Sequence, residues 1–339
     1  AISLWKLFRA LSIKEFEKLY KILGINFNVA LGESFYNDKM NAVIKELENK
    51  NLLEESEDAS IINLDKFALG ACLIKKSDGA TLYATRDITA AIDRYKKYKF
   101  HQIIYEVGQE QKLHFKQVFK VLELMGYSWA KNCVHVDHGL YLDEDGKKFA
   151  TRRGKTIFME DIIEETKELA KKEIEKREKL SKQQLDHRAL KIALGAIFYG
   201  DLKNYRSGDI VFDIQKFLSF EGNTGTYLLY TYARAKSILR KAKYKSKKLS
   251  IPNLEDSENR LIKQLAEFPD IVKRSYDSLA PNIIANYAFQ LAQIFNEFYH
   301  AHQVIGSDKE EFRLLLVESF SNVLKKSLNS LGIEVLERM

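Results

Sequence analysis

Three short polar strings carry the side chains best suited to chemistry. Tyr83-Ala84-Thr85-Arg86-Asp87 places a tyrosine four residues before a carboxylate, Gly108-Gln109-Glu110-Gln111-Lys112-Leu113-His114 supplies an amide and an imidazole, and His138-Gly139 closes a third apolar run. A tyrosine, a carboxylate and the Gln111 amide together make a polar pocket for a cationic side chain. A guanidinium fits best, because a carboxylate grips its two N–H groups in parallel. A plainer assignment also fits: Asp87 as a helix N-cap and Gln111 as a first-turn residue, serving local geometry alone. A fourth string, residues 145–155, holds five cations and two glycines. It suits a polyphosphate whose charge grows during displacement at phosphorus, and equally a basic surface loop. Neither Gly-x-x-x-x-Gly-Lys-Ser/Thr nor Gly-x-Gly-x-x-Gly occurs, so a P-loop and a dinucleotide fold have no motif support.

A second kind of chemistry is written farther along. From Arg234 to Lys248 eight residues are Lys or Arg (Arg234, Lys236, Arg240, Lys241, Lys243, Lys245, Lys247, Lys248), none is acidic, and Tyr227, Tyr230 and Tyr232 lie just upstream. Aromatic faces beside a cationic helix suit single-stranded nucleic acid, whose unstacked bases lie on rings while its phosphates meet the cations. A solvated helix end accounts for the charge run as well. His135-Val136-Asp137-His138 is a poor metal set, since residues three apart on a strand face opposite ways and no cysteine or further carboxylate completes it. His300 and His302, two apart on an expected helix, diverge. No metal site is expected.

These strings need elements to hold them. The chain of 339 residues, 45% hydrophobic and 30% charged, is long enough for about two domains, and too apolar to be disordered. Its net charge is +7, and two widely separated cysteines give neither a disulfide scaffold nor a zinc ribbon. That usage suits a reducing cytoplasm. No run of 18 apolar residues occurs, so neither membrane spanning nor a secretory signal is expected. Leu4, Leu7, Phe8 and Leu11, then Met40, Val43, Ile44 and Leu47, recur at helical spacing. Residues 71 to 85 read as two short strands turning at Ser77-Asp78-Gly79. A helix from Asp87 to about Tyr98, a strand at Ile103–Val107, a helix from about Gln111 to Leu124 and a strand at Cys133–Val136 then form a βαβ unit, hence a parallel sheet. In such sheets ligands bind beyond the carboxyl ends of the strands, where the polar strings sit.

After residue 155 the strand signal ends. Lys167 to Lys182 reads as a solvated helix face. Ile283, Ile284, Tyr287, Ala288, Leu291, Phe295 and Phe298, then Leu314, Val317, Phe320, Val323, Leu324, Leu328 and Leu331, mark strongly amphipathic helices. Leu249 to Glu258, with Pro252, is the expected break within this half. The fold class is therefore α/β followed by all-α.

Taken together, Leu82-Tyr83-Ala84-Thr85-Arg86-Asp87, Ile104–Gln111 with Leu113-His114-Phe115, Ala150-Thr151-Arg152-Arg153-Gly154, Phe220-Glu221-Gly222-Asn223-Thr224-Gly225 and the ending Leu336-Glu337-Arg338-Met339 resemble arginyl-tRNA synthetases in order and spacing. The resemblance runs over essentially the whole chain. It implies the second half of a class I Rossmann-type catalytic domain over 1–155, a helical stem-contact region over 156–219 and an α-helical anticodon-binding domain over 220–339. It also implies roles: Tyr83, Asp87 and Gln111 for arginine; His114, Gly139, Thr151 and Arg153 for ATP; Tyr227, Tyr230, Arg234, Tyr299 and Met339 for the anticodon loop. The usual Lys-Met-Ser-Lys-Ser signature departs here to Phe149-Ala150-Thr151-Arg152-Arg153, and Arg153 brings a planar fork where a lysine brings a point charge.

The implied substrates are L-arginine, ATP with Mg2+ and an arginine tRNA, with no tightly bound cofactor, in a cytoplasmic monomer. The class I His-x-Gly-His signature is not among the 339 residues. The chain is therefore expected to be a C-terminal fragment of the enzyme, inactive by itself. Two other readings remain at this point, a non-catalytic tRNA-binding paralogue and another class I enzyme with the same helical domain, such as the cysteine enzyme, whose zinc ligands are not seen.

Overall fold

The computed structural model describes residues 1–56, 59–76, 82–143, 146–147, 158–176, 178–244 and 252–339. Ser77, Asp78 and Gly79, the stretch 148–155 with Thr151 and Arg153, and Lys245, Lys247 and Lys248 lie outside them. In chain order the elements are α1 (Ile2–Leu23), α2 (Met40–Asn49), β1 (Glu54–Ser56), β2 (Ala59–Asn63), β3 (Ala71–Lys76), α3 (Tyr83–Tyr98), β4 (Ile103–Gly108), α4 (Lys112–Leu124), β5 (Cys133–His138) and β6 (Tyr141–Leu142). There follow α5 (Met159–Glu175), α6 (Lys182–Leu202), β7 (Ile210–Val211), α7 (Ile214–Leu218), α8 (Gly225–Lys241), α9 (Asp256–Ala266), α10 (Phe268–Ser278), α11 (Asn282–Ala301) and α12 (Glu310–Ser330). They divide into two compact units, Phe27–Gly139 and Ala1–Asn26 with Leu140–Met339.

In the unit Phe27–Gly139 the expected βαβ is present. β4 and β5 pair in parallel, from Ile103 opposite Cys133 to Gly108 opposite His138, and α4 is the crossover. Ile88 and Ile92 of α3, Val118, Val121 and Leu122 of α4, and Cys72 and Ile74 of β3 share one buried core with Val43, Ile44 and Leu47 of α2.

The hairpin reading of residues 71 to 85 is half right. β3 forms but pairs back onto β2, antiparallel, in the order β1-β2-β3. Residues 83 to 85 open α3 instead of a second strand. Ala84, Thr85, Ile88, Ala91 and Ile92 are all buried, and only a helix puts that spacing on one face, so the longer period overrides the β-prone side chains at its start. Thr85 Oγ1 donates to Ile74 O at 2.5 Å and ties the new helix to β3. Asp87 accordingly sits in the second turn of α3 and is no N-cap; that position belongs to Leu82.

In the other unit, one two-residue strand, β7, occurs after residue 155 among the described residues. β7 lies parallel to β6, too short for any periodicity to reveal, and Asp209 Oδ1 accepts from Leu140 N at 2.8 Å beside it. α5 keeps its Lys/Glu face in solvent yet buries Ile163, Thr166, Ala170 and Ile174, and it stops at Glu175 before a Ser181/Gln184 capping box starts α6. The main core joins Leu228, Leu229 and Tyr232 of α8 to Leu291, Phe295 and Phe298 of α11 and Val317, Phe320 and Leu324 of α12. The expected break falls between α8 and α9. α11 ends at Ala301, so His302 is extended backbone beyond the helix rather than a helical neighbour of His300. The apolar stripe of α1 is exposed: Leu4, Leu7, Phe8 and Leu11 are each more than half accessible.

Candidate functional site

Gly108 and His138 stand opposite each other at the carboxyl ends of β4 and β5, and Gly139 follows directly. The first turns of α3 and α4 carry the other candidates. Tyr83 and Asp87 are four apart on α3, hence on one face; Gln111 closes a 3-10 turn (Gln109–Gln111) and His114 lies three residues on, in the first turn of α4. The two faces meet where His114 Nε2 approaches Asp87 Oδ2 to 2.6 Å. An ionised carboxylate only accepts, so Nε2–H donates. Asp87 and His114, expected in different substrate subsites, are thus in direct contact. Tyr83 is 71% exposed, with the Arg86 guanidinium 5.9 Å from its ring, and Gln111 is also exposed. Arg86 is held by Glu33 at 2.6 Å.

Around this end of the sheet, Lys112 Nζ reaches buried Asp137 at 2.7 Å and His135 Nε2 donates to Val107 O at 2.9 Å. His135 and His138 therefore have protein partners, His138 lying 3.6 Å from Glu106. Among the described residues no three His, Cys, Asp or Glu side chains converge on a metal site. Burial pushes the thiols of Cys72 and Cys133 up to about 11, so neither is a thiolate nucleophile at neutral pH. Thr151 and Arg153 lie outside the described residues.

The second site is built on α8. Thr224 caps the helix, its Oγ1 accepting from Tyr227 N at 3.1 Å. Gly225 faces Gly195 of α6 so closely that a Cβ there would stand 2.2 Å from Gly195 O. That backbone contact fixes where α8 lies on the bundle. Tyr230 and Arg234, one turn apart, then line a groove of about 870 Å³ with Tyr299 and His300 of the α11 end, the connection 302–305 and the terminal residues Glu337, Arg338 and Met339. Arg234 is the most constrained member: its Nη1 donates to Asn296 Oδ1 at 2.8 Å, and its guanidinium lies 4.9 Å from the Tyr230 ring and 5.8 Å from the Tyr299 ring. Asn296 Nδ2 in turn donates to Tyr227 OH at 2.7 Å, so Tyr227 braces the arginine from behind the groove. Arg240, Lys241 and Arg338 add cations along the same lining, which the Glu337 side chain shares.

Tyr230, Arg234, Tyr299 and Met339 are therefore brought together from three separate segments, with Tyr227 as their support. Asn296 was not legible as a functional residue. Its only signal is an amide on the apolar helix that carries Leu291, Phe295 and Phe298. The Gly195–Gly225 contact left no pattern either.

Comparison with known proteins yields two family matches: tRNA synthetases class I (R), catalytic domain, over residues 2–214, and the DALR anticodon binding domain over residues 228–339. An arginine–tRNA ligase of Clostridium botulinum (strain Alaska E43) is 46% identical over 344 residues, covering all of this chain and 61% of that protein. One from Halothermothrix orenii is 44% identical, with 100% and 60% covered. The chain thus spans about three fifths of the relatives' length. Among solved structures, the arginyl-tRNA synthetase of Plasmodium falciparum superposes with a TM-score of 0.86 at 27% identity, over 99% of this chain and 58% of that one.

Proposed function

Because the chain belongs to the class I (R) tRNA synthetase family, we propose that it supplies the amino-acid pocket and the tRNA-anticodon groove of an arginine–tRNA ligase. The observation that carries this reading is the convergence of Tyr230, Arg234, Tyr299 and Met339 on one cation-rich groove, the chemistry a splayed single-stranded loop requires.

In this reading Asp87 grips the guanidinium of L-arginine, with Tyr83 on the same face of α3 and Gln111 before α4 completing the pocket. A bound guanidinium competes with His114 Nε2–H for the Asp87 carboxylate. Arginine binding therefore frees His114 to turn toward a second substrate, ATP, which arrives as its Mg2+ complex. In the longer enzyme the arginine carboxylate attacks the α-phosphate and pyrophosphate leaves; a hydroxyl of the terminal adenosine of the tRNA then attacks the acyl carbon of the adenylate, and AMP leaves. Arg153, Thr151 and Gly139 are proposed on the ATP side. The division into a catalytic half over 1–155, a stem-contact region over 156–219 and an anticodon domain over 220–339 is part of the same proposal, as is a cytoplasmic monomer. Two buried free cysteines suit a reducing compartment, and no described helix is long and apolar enough to cross a membrane.

The test is a titration of the chain with an anticodon stem–loop RNA from an arginine tRNA and with one from an unrelated tRNA. Preference for the former supports the reading; equal affinity for both removes it.

A further inference from the structure

Behind one wall of the groove lies a cluster of charges that the anticodon reading does not use. The wall is the connection between α11 and α12, whose His302, Gln303, Val304 and Ile305 line the groove. Arg313, on α12 with its side chain 7% exposed, reaches three partners: its Nε donates to Glu258 Oε1, its Nη2 to Glu255 Oε1 and its Nη1 to the backbone carbonyl of Gln303, each at 2.9 Å. The Glu258 side chain, on α9, is fully buried.

The same guanidinium orients His302. Its Nη2 lies 3.4 Å from His302 Nδ1, and a guanidinium has only donors, so Nδ1 accepts. On its other side the ring's Nε2 bonds Ser257 Oγ at 2.6 Å, and Nδ1 lies 3.6 Å from Glu255 Oε2. Lys309 closes the far side, bonding Asn253 O at 2.8 Å and Glu255 Oε1 at 3.0 Å and lying 3.6 Å from Glu258 Oε2. Two carboxylates and two cations balance one another. Burial alone would raise the Glu258 carboxyl, but the Glu255 backbone N–H, Arg313 and Lys309 together hold it below its ordinary range.

Stability alone does not account for such a cluster, because apolar side chains of similar size often serve a buried position as well as an ion pair. What ions supply and apolar groups do not is direction. Each of the three Arg313 bonds has a fixed angle, and one of them ends on the groove wall itself.

We propose that Arg313 is a positioning residue for RNA recognition, anchored by Glu258 and Glu255 and holding the 302–305 wall in register through the Gln303 carbonyl and the His302 ring. The inference rests on the groove being the anticodon site, and its test separates the two. The chain carrying Arg313→Met with Glu258→Leu strands no charge at the pair it removes. Its thermal unfolding and its affinity for the arginine anticodon stem–loop are measured beside Arg313→Lys and Tyr230→Ala. The double variant, which also gives up the Glu255 N–H bond to Glu258, is expected to stay folded at the temperature of the binding assay while binding RNA about tenfold more weakly, the cost of a recognition wall left without its support. Arg313→Lys, which keeps the charge and loses the fork, is expected to bind more weakly too.

Wild-type RNA affinity in the folded double variant, with Tyr230→Ala weakened, overturns the positioning role and leaves the groove reading standing. If the double variant does not fold, wild-type affinity in Arg313→Lys has the same force. Wild-type affinity in Tyr230→Ala overturns the groove reading and the inference with it.

Discussion

The two candidate sites are held to very different degrees. At the sheet end, Tyr83 and Gln111 face solvent, and the Asp87 carboxylate leans on His114 alone among the site residues. In the groove, Arg234 is clamped between two rings and an amide, and the helix that carries it is seated on another by glycine-to-glycine contact. A pre-organised site spends little on ordering when its ligand arrives, whereas loosely held side chains take their final places with the ligand. Damage to the groove should therefore reach the stability of its unit. Damage to the proposed amino-acid pocket should reach its ligand only.

Gly225→Ala presses hardest on this difference. A Cβ there meets Gly195 backbone, which cannot step aside as a side chain would, and a loss of about 3 kcal/mol is expected; an unchanged denaturation midpoint would mean that the α6–α8 contact is not what seats the groove. Asp87→Ala should weaken L-arginine binding by about 2 kcal/mol, the worth of a hydrogen bond to a charged group, while leaving thermal unfolding alone, as read by calorimetry with arginine and by KM in the longer enzyme. Tyr230→Ala should cost about 1–2 kcal/mol of stem–loop affinity through lost stacking, and Tyr227→Ala less, because Tyr227 acts through Asn296. Lys241→Ala should lower the salt dependence of RNA binding by a log–log slope of about 0.7 with little change in sequence preference. The smallest effect is that of acid on the helical unit. The Glu258 carboxyl is held below its ordinary value of 4.5, so its contribution is complete above that pH and fades as pH falls through the depressed folded value. Glu258→Gln should flatten this loss, followed by circular dichroism between pH 5 and about pH 2.

Legibility followed the length of the pattern. The βαβ unit and the two long amphipathic helices were readable because their periods repeat over many residues, and Phe295, Phe298, Phe320 and Leu324 all lie in the core they implied. The start of α3 reads as strand because Tyr83 and Thr85 are individually β-prone, although the burial-bearing spacing from Ala84 to Ile92 is helical. β7 has two residues and no period at all. Of the sites, the roles rested on matched strings and the pocket on residue chemistry. The Asp87–His114 contact, the Asn296 bridge and the Arg313 cluster depend on elements distant in sequence meeting in space, and no local pattern carries that. Asp87 and His114 are 27 residues apart, Arg313 and Glu258 55.

In the proposed function, amino-acid recognition resides at Asp87 and RNA recognition in the Tyr230–Arg234 groove, each within its own unit. One crossed titration tests it: Asp87→Ala and Tyr230→Ala chains, each measured with L-arginine and with the arginine anticodon stem–loop. Asp87→Ala is expected to lose arginine affinity and keep RNA affinity, and Tyr230→Ala the reverse. Asp87→Ala binding arginine as the unaltered chain does, or Tyr230→Ala binding the stem–loop as the unaltered chain does, would contradict it.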